Sequence, residues 1–285
     1  MGPMPVLSVD DAGDPRLADY LGTPDPQLAR ARGVFVAEGR LVVGRLLASR
    51  FVTRSVMVTP AALDGVTREI DARPCLPVFV VPQAVMNAVA GFNIHRGCLA
   101  IGERPAPLTW QDVAGVGGWG PSGAPTIARV LVALEHVGNA DNVGATFRAA
   151  AAFGAGGVLL DDGCADPLYR KAIRTSMGAA LHVPFAHDVP WTDALAGLRR
   201  EGWAIVGLTP AAGAEPAREV VKGTRGRRVV LVLGHEGDGI SAATRAACTH
   251  LARIPMIADV DSLNVAMAAG IALYEWRQSG SEATP

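Results

Sequence analysis

Val130-Leu131-Val132-Ala133-Leu134, followed after a short polar turn by Asn142-Val143-Gly144-Ala145-Thr146-Phe147-Arg148-Ala149 and an alanine run closed by Phe153-Gly154, decides the architecture of this chain. The unbroken apolar pentad suits a strand buried on both faces, the setting of a parallel sheet. Helical spacing begins at about Val143 and runs to Phe153. Gly154 is a fitting stop, and Asn142 stands where an N-cap would. Strand, turn and helix in this order form the first half of a βαβ unit.

The same alternation continues downstream. Strands are expected at Val158-Leu159-Leu160, Ala204 to Leu208 and Val229 to Leu233, with helices near 168–177, 192–200 and 242–248. This predicts an α/β domain with a mostly parallel sheet covered by helices. A last helix is expected over about 263–277. Its Leu263, Val265, Met267, Ile271, Leu273, Tyr274 and Trp276 cannot share one face, so it is expected to be buried on most sides, within the domain or against a second subunit. A homodimer is the expectation.

Upstream, the stretch between Glu103 and Ala128 gathers Pro105, Pro107, Pro121 and Pro125 with Gly115, Gly117, Gly118, Gly120 and Gly123. Such a composition reads as a linker, with a short helical piece near Trp110. It divides the chain into an N-terminal domain over 1–104, a linker over 105–126 and a C-terminal domain over 127–285. Within the first, Val34-Phe35-Val36 reads as a strand entering the Glu38-Gly39-Arg40 turn. A helix is expected over 41–49, and short strands at Val56-Met57-Val58 and Val78-Phe79-Val80-Val81. Pro82 then opens a helix over 83–90, and Gly97 to Ile101 is the last strand. This is a smaller α/β module.

The 285 residues carry a net charge of −1, and lysine occurs only at Lys171 and Lys222. There is no global electrostatic footprint for nucleic acid, so any such binding needs a local Arg-rich face. Arginine suits bidentate phosphate contacts, although a GC-rich genome would produce the same bias. Cys75, Cys98, Cys164 and Cys248 show no paired metal-ligand spacing and read as reduced thiols of a cytoplasmic protein, with no metal site. Asp10, Asp11 and Asp14 near the start do not fit a signal peptide, and apolar stretches such as Val229 to Leu233 are too short to cross a bilayer.

Three punctuated blocks carry the polar side chains. Asn142 and Arg148 lie in the first, and each taken alone is an ordinary cap and an ordinary surface residue. The second is Leu233-Gly234-His235-Glu236-Gly237-Asp238-Gly239-Ile240-Ser241, a buried strand that stops at a glycine. The carboxyl ends of strands in open α/β sheets are where ligands bind. Here Glu236 could hold backbone amides or Arg148, while Ser241 caps the next helix. The third runs from Ile254-Pro255-Met256 through polar Asp259 and Asp261 to Ser262-Leu263-Asn264-Val265, with Ser262 at an N-cap position and Asn264 in the first helical turn. The phosphate-binding, zinc-protease and serine-hydrolase motifs are all absent. His95, His136, His182, His187, His235 and His250 lack ligand spacing, although His235 beside Glu236 could approach a substrate.

Taken together, the blocks resemble the three motifs of the SpoU, or TrmH-like, RNA 2'-O-ribose methyltransferases of the SPOUT superfamily. Asn142, Gly144 and Arg148 match the first motif; Gly234, Glu236 and Gly239 match the second. Ile254-Pro255-Met256 with Ser262-Leu263-Asn264-Val265 and the later Leu273-Tyr274-Glu275 match the third. Asp166-Pro167 through Arg174, Ser176 and Gly178 is similar to the family's segment after the first motif. Glu38-Gly39 and His95-Arg96-Gly97 resemble its small N-terminal RNA-binding domain. Ala258 stands where the family often has Gly, and Ala266 where Ser is common; neither removes a group the chemistry needs.

The resemblance implies a trefoil-knotted SPOUT domain over 127–285, a cofactor pocket for bent S-adenosylmethionine at Gly234, Ile254 and Leu263, and no metal. It gives Arg148 a part in activating the ribose hydroxyl, with Asn142, Glu236, Ser262 and Asn264 positioning it or the nucleotide. Arg170, Lys171 and Arg174 are the implied RNA contacts. rRNA is favoured over tRNA as substrate; a non-catalytic RNA-binding assembly factor is the rival from another class.

Overall fold

The computed structural model describes residues 6–22, 24–91, 94, 97–115, 118–119, 125–126, 129–257 and 262–281. His95, Arg96, Gly117, Gly120, Pro121, Gly123, Ala258, Asp259 and Asp261 therefore lie outside the described residues. By its contacts the chain divides into two compact units. The first is Met1–Ala106 with Leu168–His182, and the second is Pro107–Pro167 with Val183–Pro285.

The first unit is built on a mixed sheet of β1 (Val6–Ser8), β2 (Val34–Glu38), β3 (Thr53–Val58), β4 (Val78–Val80) and β5 (Cys98–Glu103). The order is β1-β4-β3-β5-β2, with β5 antiparallel to both neighbours and the remaining pairs parallel. Gly39 turns β2 into the helix Arg40–Leu47 with φ of 90°, a conformation that costs a residue without Cβ little. Leu17, Tyr20, Val36, Met57, Met86 and Ile101 form the core, and the Tyr20 hydroxyl is satisfied there by Ser55 Oγ at 2.7 Å. The helix Arg170–Thr175 packs on β2, which is why its segment belongs to this unit.

In the second unit a small antiparallel pair, β6 (Gly118–Trp119) and β7 (Pro125–Thr126), precedes the main sheet. That sheet comprises β8 (Val130–Leu134), β9 (Gly157–Leu160), β10 (Phe185–Ala186), β11 (Ala204–Leu208), β12 (Glu215–Pro216), β13 (Val229–Leu233) and β14 (His250–Arg253). The order is β10-β9-β8-β13-β11-β14-β12, and every pairing is parallel. β13 is buried along its whole length, as its continuous Val and Leu require. The chain runs outward from β8 to β9 and β10, then returns to the other side of β8. That reversal falls between β8 and β13, where Leu134 stands opposite Leu233. The helix Trp110–Gly115, in the stretch expected to be a linker, buries Trp110 and Val113 in this unit's core.

Helix boundaries correct two expectations. The helix Ala140–Phe153 is capped by Asn139, whose Oδ1 accepts from Asp141 N at 2.9 Å, so Asn142 lies inside the first turn and its side chain is free for tertiary contacts. Gly154 closes this helix in the left-handed conformation, φ 74°. The helix Val265–Ser281 is capped by Asn264, whose Oδ1 accepts from Ala266 N at 3.0 Å and Met267 N at 3.3 Å, so Ser262 precedes the helix without capping it. The last helix buries Val265, Ala269, Ala272, Leu273 and Trp276, while Met267, Ile271 and Tyr274 stay 56%, 36% and 47% exposed. These three recur at helical spacing and share one outward face.

Candidate active site

The three motif blocks meet at the carboxyl edge of the second unit's sheet. The Asn142 amide N–H donates to Glu236 Oε1, and the Asn264 amide N–H donates to Asn142 Oδ1 at 2.8 Å. Since Asn264 Oδ1 receives the first N–H groups of its own helix, one hydrogen-bonded line runs from that helix start through two amides to the Glu236 carboxylate. Both amides are oriented by their partners, because reversing either would set like groups against each other. The line leaves Glu236 fixed at the mouth of a cavity.

That cavity has a volume of about 240 Å³, and its walls include Leu208, Gly234, Glu236, Ile254, Ser262 and Leu263. Aliphatic side chains and backbone dominate it. Gly234 is required there: a Cβ at this position would lie 2.2 Å from the Gly239 carbonyl and 2.4 Å from Ile240 N. The next turn is held by His235, whose Nδ1 accepts from Gly237 N at 3.0 Å and Asp238 N at 3.3 Å. Nε2 is left as the donor on that ring.

A buried polar clamp fixes the same loop from below. Glu135, 5% exposed and directly after β8, accepts from Ser241 N at 2.9 Å on one oxygen and from the Thr244 hydroxyl at 2.6 Å on the other. Trp191 Nε1 donates to the Thr244 hydroxyl oxygen at 2.8 Å. Ser241 also caps the helix Ala242–Ala247 through Thr244 N at 3.1 Å, as its position predicts. Sequence reasoning missed Glu135. The available signal was an acidic residue abutting an apolar pentad, a place where a charge must find buried partners.

Other site residues fall elsewhere. Arg148 is exposed, does not line the cavity, and has no hydrogen bond or ion pair among the described residues. Arg170, Lys171 and Arg174 lie in the first unit. Arg170 is held there by Asp25, through its backbone N at 2.8 Å and Nε at 2.7 Å, whereas Lys171 and Arg174 are exposed. Nothing in the local sequence announces a partner 145 residues away. Cys248, beside the start of β14, has its thiol pushed up to about 11, chiefly by burial. Among the described residues no cluster of His, Cys, Asp or Glu is placed to hold a metal ion, and no helix is long and apolar enough to cross a membrane.

Comparison with known proteins identifies the family. The model of the SpoU rRNA Methylase family matches residues 129–274. An uncharacterized tRNA/rRNA methyltransferase of Mycobacterium tuberculosis is 38% identical over 98% of this chain and 94% of its own length, as is one of Mycobacterium bovis. The crystal structure of an AdoMet-bound rRNA methyltransferase from Sinorhizobium meliloti superposes with a TM-score of 0.79 at 25% identity, covering 96% of this chain and 98% of that one. The SpoU methyltransferase AviRb from Streptomyces viridochromogenes, in complex with AdoMet, shares the fold with a TM-score of 0.76 at 21% identity, covering 95% and 100%. With the family model matched over residues 129–274 and relatives aligned along almost the whole chain, this protein belongs to the SpoU rRNA methylase family.

Proposed function

We propose that the protein is an S-adenosylmethionine-dependent RNA 2'-O-ribose methyltransferase acting on rRNA in preference to tRNA. The observation that carries this reading is the Glu236–Asn142–Asn264 line fixed at the mouth of the cavity. The cavity suits the cofactor: aliphatic Leu208, Ile254 and Leu263 can enclose an adenine, and the missing Cβ of Gly234 lets backbone approach it. Gly234, Ile254 and Leu263 are the residues assigned to hold it. When bound, S-adenosylmethionine supplies a methyl carbon made electrophilic by positive sulfur. The relative from Sinorhizobium meliloti solved with AdoMet supports S-adenosylmethionine as the cofactor.

The chain's own task is alignment and the handling of one proton. Asn142, Glu236 and Asn264 are rigid through their mutual hydrogen bonds, and with Ser262 at the cavity wall they orient the nucleotide. The guanidinium of Arg148 carries N–H donors and no acceptor, so its assigned part is to donate hydrogen bonds and not to take the proton. Free of any protein carboxylate among the described residues, its guanidinium is available to hold the adjacent phosphate and stabilise the developing alkoxide. The proton leaves through phosphate or water. Exposed Lys171 and Arg174 give the first unit a basic face for RNA, while Arg170 acts as the strut that sets their helix. The outward face of Met267, Ile271 and Tyr274 is assigned to a second copy of the chain. The knotted path belongs to the same reading, since it brings the second and third blocks together.

Purified protein with radiolabelled S-adenosylmethionine and RNA from a strain lacking it tests the function. The expected result is label in rRNA at a linkage resistant to alkaline hydrolysis, the property of a 2'-O-methyl group. Label in tRNA alone supports the tRNA alternative; no cofactor binding by calorimetry supports a non-catalytic RNA-binding factor.

A further inference from the structure

His136 and Asp161 form a second polar device on the carboxyl edge, outside the site already described. Asp161 follows β9 directly and is 1% exposed. Its Oδ1 accepts from His136 N at 2.9 Å and Gly163 N at 3.1 Å, and its Oδ2 contacts His136 Nδ1. His136 itself sits in the left-handed region, φ 56°, which a β-carbon disfavours. Its ring lies over Gly163, where a Cβ would come within 2.9 Å of it. Despite these constraints the His136 side chain is 64% exposed.

A structural clip between the ends of β8 and β9 needs only the backbone N–H and the carboxylate. The imidazole adds something else: with Nδ1–H donated to the carboxylate, Nε2 presents a lone pair outward in a fixed direction. The strand order β9-β8-β13 places Asp161, His136 and Glu236 in a row along one edge, each within three residues of its strand's end. His136 also lies in the turn that delivers Asn142 and Arg148. An outward acceptor beside a ribose-modifying site fits a ribose hydroxyl, the one donor that RNA backbone has and DNA lacks.

We propose that His136, oriented by Asp161, accepts a hydrogen bond from the 2'-hydroxyl of a nucleotide flanking the one that is methylated. This rests on the RNA methyltransferase reading above. His136→Asn provides the test, because Asn tolerates the left-handed backbone and can still donate to Asp161 while losing Nε2. With RNA spanning the mapped target, KM for RNA is expected to rise about fivefold to tenfold, the loss of one hydrogen bond, with kcat at saturation within about twofold. Replacing the flanking 2'-hydroxyls one at a time by hydrogen should reproduce that rise at a single position with the wild-type chain and add nothing with His136→Asn. Asp161→Asn should raise KM similarly.

If KM stays unchanged while only the thermal midpoint falls, or if the deoxy and His136→Asn effects add in full, the pair is a structural clip and the proposal is overturned. Methyl transfer by wild-type protein is the control. Transfer without a His136 effect removes this inference alone, whereas no transfer by wild type removes the parent reading and this one with it.

Discussion

Asn142 illustrates how far a single residue can be read from its neighbours. Its place after an apolar strand and before an alanine-rich run makes it look like a cap, yet Asn139 takes that role. Local sequence offers two asparagines three positions apart, and the choice is settled by Glu236 and Asn264, 94 and 122 residues away. Asn264, expected in the first helical turn, is instead the cap. The motif blocks do come together in space, since Asn142 is hydrogen-bonded to both Glu236 and Asn264. Since they act as one line, Asn142→Ala and Asn264→Ala should each cost about tenfold or more in kcat/KM, and the double variant little beyond the worse single one. Steady-state kinetics on the four proteins checks this. If exposed Arg148 has the role proposed for it, Arg148→Ala should lower kcat about 100-fold or more with an unchanged melting temperature. Gly234→Ala should abolish cofactor binding in calorimetry, because its methyl would occupy the place of the Gly239 carbonyl.

The elements of the parallel sheet were the most legible part of the chain. Val130–Leu134, Ala204–Leu208 and Val229–Leu233 fall where continuous apolar runs predict them, and Gly154 and Ser241 end and begin helices as expected. Short edge strands such as Val6–Ser8 and Glu215–Pro216 escaped, since two or three residues carry no measurable period. Also illegible was the clamp that joins β8 to the loop after β13, because it depends on Glu135 meeting Ser241 and Thr244 across 106 and 109 residues. Glu135→Ala would remove the acceptor of the Ser241 N–H and of the buried Thr244 hydroxyl together, costing on the order of 3 kcal/mol. Chemical denaturation should register that loss, and cofactor affinity should fall with it because the loop supports Gly234 and Glu236.

Across the whole molecule the buried thiols set a limit at high pH. Burial pushes Cys98 up to about 12 and Cys248 up to about 11, and raises Cys164 as well, against an ordinary thiol value of 9.0. The folded chain keeps protons that the unfolded chain gives up. Their contribution to stability is therefore full below about pH 9 and declines as pH rises toward 11 and 12. A lower urea midpoint at pH 10 than at pH 8 is the expected result, and exposed Cys75 should be the thiol that alkylates fastest at pH 8. The last helix offers another test at this scale: if Met267, Ile271 and Tyr274 face a second copy, Ile271→Glu should halve the mass measured by light scattering.

The interleaving of the two units also bears on inheritance. Because Leu168–His182 belongs with Met1–Ala106, the polypeptide passes from one unit to the other three times, after residues 106, 167 and 182. A single genetic crossover near codon 106 would therefore pair a donor's Asp25 and β2 with a recipient's Arg170 helix. Viable hybrids should keep that pair matched, so new specificities should arise more readily by point drift or double exchange than by swapping the leading hundred codons.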